Sequence, residues 1–101
     1  MPNICRLRAL EGASLPPEVR VASRIHWGVL IDAYLTNAAS VGDRYAAIAY
    51  LDRSGSISDG STVATPPVMA VEQREHFVLL RSLSGHDHYV IASWQSLGEK
   101  P

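Results

Sequence analysis

A chain of 101 residues, 47% hydrophobic and 19% charged, describes one folded domain spanning 1–101, neither a disordered polymer nor a pair of domains. Nine basic residues against ten acidic ones leave a formal net charge of −1, so no cationic surplus exists to neutralise phosphates, and nucleic acid is not an expected partner. The apolar runs fall short of the roughly 20 residues of a membrane helix, the first residues lack the pattern of a signal peptide, and the single cysteine, Cys5, allows no intramolecular disulfide. A soluble, cytoplasmic protein without a membrane partner is the expectation.

Residues 4–10 alternate, with Cys5, Leu7 and Ala9 on one side and Arg6 and Arg8 on the other, which predicts a half-buried strand. Gly12, Pro16 and Pro17 break it. Ser14, the prolines and Glu18 resemble a helix start and predict a short helix over 17–24, with Val19, Ala22 and Ile25 inward. A strand through Val19 and Val21 competes, because β-branched residues favour it. Residues 26–36 centre on Val29-Leu30-Ile31 and read either as a continued helix or as a strand. Gly28 would cost a helix interior roughly 1 kcal/mol relative to Ala. The strand is preferred, with Trp27, Val29, Ile31 and Ala33 on one face and His26, Leu30, Asp32 and Tyr34 on the other.

Residues 37–44 read as a small, polar loop. Residues 45–51 stay open between helix, which the alanines favour, and strand, which Tyr45 and Ile48 favour. Asp52-Arg53-Ser54-Gly55 is a turn, and 56–60 a second loop. Residues 62–71 read as extended, broken by Pro66-Pro67; proline donates no ladder hydrogen bond, so this segment belongs at a sheet edge or a bend. A charged turn is expected at 72–75. Residues 77–83 and 88–94 flank Ser84-Gly85-His86-Asp87, a hairpin signal, and 95–101 read as a frayed tail. Together these elements predict a mainly β domain, a small barrel or sandwich of about five to seven short strands with room for one short helix. An α+β arrangement is the alternative. Trp27, Tyr45, Phe77 and Tyr89 are the candidate inward aromatics.

Chemistry-bearing residues are sparse. His86 and His88 are two apart, so in an extended segment both could reach one metal; zinc would still need His26 or His76 from elsewhere. The simpler reading places His86 and His88 exposed near a hairpin tip, with no metal and no cofactor. His26-Trp27 could line a pocket, or Trp27 could be core beside a solvated His26. Asp32 is an acid inside an apolar run; buried alone it would be costly, so it faces solvent or pairs, with Arg24 or Arg81 as candidates. Trp27 and Trp94 are candidates for an exposed aromatic patch. No nucleophile elbow and no glycine-rich phosphate loop is present, and Cys5 would face away from Arg6 and Arg8. No catalytic residue is assigned, and an enzyme is not expected.

One segment resembles known proteins. Asp59-Gly60-Ser61-Thr62-Val63, Thr65-Pro66-Pro67-Val68, Leu80-Arg81-Ser82-Leu83-Ser84-Gly85 and Tyr89-Val90-Ile91 follow one another within 55–94. They are similar to small uncharacterised bacterial proteins of mobile genetic elements, carried by phages, plasmids and integron gene cassettes. That pattern runs D-G-T-x-V-x-T-S-P-V, then T-x-[NS]-G-S-x-Y. Pro66 stands where the pattern has Ser, and His86-Asp87-His88 lengthens its turn. The resemblance implies an accessory protein of mobile DNA and carries over no catalytic residue. The expected action is binding of a protein or small ligand through His26, Trp27, Asp32 or Trp94. Small size and a high apolar fraction make a homodimer a further expectation. The alternatives are a small metal-binding protein or enzyme using His26, His76, His86 and His88, and an inhibitor of a host defence complex.

Overall fold

The computed structural model describes residues 15–95. The strand expected over 4–10, Cys5 with it, lies outside them, as does the chain from 96 onward. The elements are one helix, α1 (Pro17–Ser23), and six strands: β1 (Ala33–Val41), β2 (Arg44–Tyr50), β3 (Ser61–Ala64), β4 (Val68–Arg74), β5 (Phe77–Ser82) and β6 (His88–Ile91). The protein is mainly β, as its alternating runs predict.

Helix α1 forms where proline opens the first turn and Glu18 sits near its N-terminus. Its N-cap is Pro16, which contributes no side-chain hydrogen bond, so the expected hydroxyl cap does not start it. Val19 and Ala22, one turn apart, are both fully buried, and Ile25 packs at their margin.

Two expectations fail between 26 and 44. The strand expected over 26–36 begins only at Ala33. Gly28 adopts φ +86, a left-handed conformation that interrupts an extended run. Trp27 is turned into the core beneath α1, its indole Nε1 donating to the Ala22 carbonyl at 3.4 Å. The loop expected over 37–44 is instead mostly sheet. β1 runs on to Val41, absorbing Asn37 (φ 53) in a bulge between Thr36 and Ala39. Gly42, at φ +65, supplies the turn into β2, so that Val41 faces Arg44. The ambiguous segment 45–51 is thereby resolved as strand. Likewise the charged turn expected over 72–75 is largely strand, since β4 reaches Arg74 and the turn to β5 is Glu75-His76.

The strand order is β3-β2-β1-β6-β5-β4, antiparallel except for the parallel pair β1–β6. β3 and β4 are consecutive in the chain yet occupy opposite edges, as proline between them suggests. Six flat strands about 4.8 Å apart would hold those edges roughly 24 Å from each other. The four virtual bonds from Ala64 to Val68 reach at most about 15 Å. The sheet must therefore curl, and Thr65-Pro66-Pro67 bridges its edges at one end. Thr65 N–H donates to the Tyr45 carbonyl at 2.9 Å, Val68 N–H to the Asp43 carbonyl at 2.8 Å, and Leu83 N–H to the Pro67 carbonyl at 2.9 Å. No ladder joins β3 to β4 among the described residues, so the sheet curls without closing into a barrel.

Curling gives the sheet two unlike faces. On the outer face α1 covers Phe77, Leu79 and Val90, with Trp27 completing the cluster. On the concave face Leu35, Leu80 and Ile91 form the floor, and Val63 and Val68 join that cluster from opposite edges. Ala33, Ala47 and Ala49 also point inward and are buried.

Candidate functional site

The concave face is not filled to its end. A cavity of about 230 Å³ opens beside Leu35, Ala49 and Val63, with Thr65 and Pro66 at one side and Asp32, Asp52, Asp87 and Tyr89 around it. Its floor is apolar because it is the inner face of the sheet. Its acidic border arises because the β2–β3 loop, the residue before β1 and the residue before β6 all reach the same end of the sheet.

Asp32 joins these pieces. Its backbone N–H donates to the His88 carbonyl at 2.8 Å, and its Oδ2 accepts the His88 N–H at 2.9 Å. Its carbonyl accepts the Arg53 N–H at 2.8 Å, and its Oδ1 pairs with Arg53 Nη2 at 2.9 Å. Arg53, not Arg24 or Arg81, is thus its cationic partner. Asp52 organises the β2–β3 loop: its Oδ2 accepts from the Ser54 hydroxyl at 2.6 Å and from the N–H groups of Ser56 at 3.0 Å and Ile57 at 3.1 Å. The Ser54 hydroxyl bond, joined by the backbone N–H groups, holds the Asp52 carboxyl below its ordinary range.

Asp87 differs. Its backbone is anchored to Ser82, accepting the Ser82 N–H at 2.9 Å and donating to Ser82 Oγ at 3.1 Å. Among the described residues its carboxylate has no hydrogen bond or ion pair. Tyr89, beside it, has its phenol pushed up to about 12 by burial first, then by the charges of Asp87, Asp32 and Asp52. Loss of a proton there would add an anion to an already negative, partly dry surface.

The other residues singled out from sequence lie elsewhere. His26 is exposed, and its carbonyl accepts from Arg74 Nη1 at 2.8 Å. Trp27 is buried, with the Arg74 guanidinium 5.0 Å from its ring centroid. Both border a second, shallower hollow that also includes Leu30 and Arg53. Trp94 is half-exposed and meets Tyr45 edge-on, ring centroids 5.8 Å apart. Trp27 belongs to the helix-side cluster while Tyr45 belongs to the concave one, so Trp27 and Trp94 do not make a common patch. His86 is exposed in the β5–β6 turn, His88 begins β6, and the His76 ring lies tilted against Phe77 with centroids 4.4 Å apart. Among the described residues no group of three or more His, Cys, Asp or Glu side chains is placed to hold a metal ion.

Sequence reasoning thus reaches Asp32, and Tyr89 only as a candidate inward aromatic; it does not place Asp52, Asp87, Tyr89 or Ala49 at a site. The Asp52-x-Ser54 spacing is a legible turn signal. Nothing local marks the other three as neighbours. The chain matches no protein-family model, and neither a curated protein nor a solved structure matches it significantly. Among the described residues no helix is long and apolar enough to cross a membrane.

Proposed function

We propose that this protein acts by binding a small molecule in the concave pocket, in keeping with an accessory role in mobile DNA, and that it makes or breaks no bonds. The observation that carries this reading is the unfilled end of the curled sheet. Its inward positions there are Ala33 and Ala49, where Leu or Val would pack the space. An apolar cavity of about 150 Å³ suffices to hold benzene. A cavity of about 230 Å³ therefore suits one substituted ring. The lining carboxylates Asp32 and Asp52 are occupied in holding loops, which is the work of a scaffold. The test is a fragment titration of single-ring compounds followed by backbone NMR. Shifts confined to Ala33, Ala49 and Tyr89, and abolished by Ala49→Leu, support the pocket. Absence of any such shift at millimolar fragment concentrations would reject it.

A second reading is favoured by the β4 edge. β4 is a seven-residue edge strand exposing Met69 and Val71, a surface fit for strand addition by a protein partner or a second copy. Inhibition of a host defence complex would use this edge. Light scattering that returns a monomer, unchanged by Met69→Lys, counts against a homodimer there. The histidine-based alternative has less behind it, since His26, His76 and His86 are exposed and, among the described residues, no group of three or more metal-ligating side chains comes together.

A further inference from the structure

The pocket joins an apolar floor to a border of a single charge sign. Among the described residues, Asp32, Asp52 and Asp87 line it, and no Lys, Arg or His side chain does. The three carboxylates are not equivalent. The Asp32 charge is met by Arg53, and the Asp52 charge by hydrogen bonds within its own loop. Asp87 lines the same cavity, half-buried, with a carboxylate that no described residue engages. We infer that the ligand is a small organic cation, an amine or ammonium group on a body of about one ring, and that Asp87 receives its charge. This inference rests on the pocket reading proposed above.

Several features converge on it. Leu35, Ala49 and Val63 offer the ring a dry surface with no hydrogen-bonding demand. A neutral ligand would leave Asp87 uncompensated, and an anion would add a fourth negative charge to the border. Burial raises the Tyr89 phenol first, and Asp87, Asp32 and Asp52 raise it further because each opposes a negative charge at its oxygen. Tyr89 also brings an aromatic ring, whose face favours a cation. The acidic groups alone would not define a site. They do so here by bordering an apolar cavity of ring size.

The test compares probes of one shape and three charges: 2-phenylethylamine, 2-phenylethanol and phenylacetate. Each is titrated into the full chain, with the amides of Ala49 and Tyr89 followed by NMR. The amine should bind about five- to tenfold more tightly than the alcohol, and phenylacetate more weakly than both. In Asp87→Asn the amine and the alcohol should approach parity, with the alcohol unaffected. This variant keeps the backbone bonds to Ser82. Added salt should weaken the amine selectively in the unsubstituted protein, a readout independent of any variant. If the alcohol binds as well as the amine, the charge inference fails while the pocket stands. If the amine keeps its advantage in Asp87→Asn, the role of Asp87 fails. If none of the probes shifts Ala49 or Tyr89, both this inference and the pocket reading fall.

Discussion

Replacement of Asp32 by alanine should be far more damaging than replacement of its partner Arg53. The ion pair itself is weak, because the Arg53 side chain is 55% exposed and that of Asp32 20%. Such pairs contribute about 0.2–1 kcal/mol. The second role of the Asp32 carboxylate is larger. It accepts the His88 N–H in a partly buried position at the start of β6, where β6 pairs with β1. Removing the acceptor strands that N–H at a cost of about 1–3 kcal/mol. Asp32→Ala should therefore destabilise by about 2–3 kcal/mol in urea unfolding, or lower Tm by roughly 8–24 °C for a domain of this size. Asp32→Asn retains an oxygen acceptor for His88, and Arg53→Ala removes only the ion pair, so each should cost about 1 kcal/mol or less. The reasoning is refuted if Arg53→Ala is as destabilising as Asp32→Ala, or if Asp32→Ala costs less than Asp32→Asn.

Two further outcomes follow from backbone and charge. Gly28→Ala should destabilise by about 1–2 kcal/mol, because the added Cβ meets no atom within 4 Å and only the left-handed backbone (φ +86) resists it; a neutral result in urea unfolding would contradict this. Tyr89 is deprotonated less readily in the folded chain, about 12, than its ordinary value of 10.0. Its contribution to stability is fully present below pH 10 and is lost as pH rises through 12. Urea midpoints should fall over that interval, and Tyr89→Phe should flatten the fall; an unchanged slope in the variant would show that Tyr89 is not its source.

How far the fold was legible depends on how local each signal is. The 77–83 and 88–94 hairpin, the helix opening at Pro17 and the edge position of the segment around Pro66 are all readable, because turn chemistry and missing donors act within a few residues. The strand expected over 26–36 misleads because alternation of apolar residues is insensitive to the sign of one φ, and Gly28 turns the chain by that means. The loop expected over 37–44 misleads for the opposite reason. Its small, polar residues look unstructured, yet pairing with β2 on one side and Trp94 near Ala38 on the other holds them extended. The alanines of 45–51 favour a helix in isolation. They lie in a strand because pairing with β1 on one side and β3 on the other holds them extended.

The amino-acid sequence on its own pointed to the class of this protein, since side-chain period and turn residues are properties of neighbouring positions: a small, mainly β domain with room for one short helix and a proline-marked edge or bend. Only tertiary structure decided the parallel union of β1 with β6, the curl forced by the short bridge between opposite edges, and the convergence of Asp32, Asp52 and Asp87 around one cavity. Those depend on which distant segments share hydrogen bonds and on a bridge too short for a flat sheet. Such relations are set by geometry across the whole chain and leave no local periodicity to read.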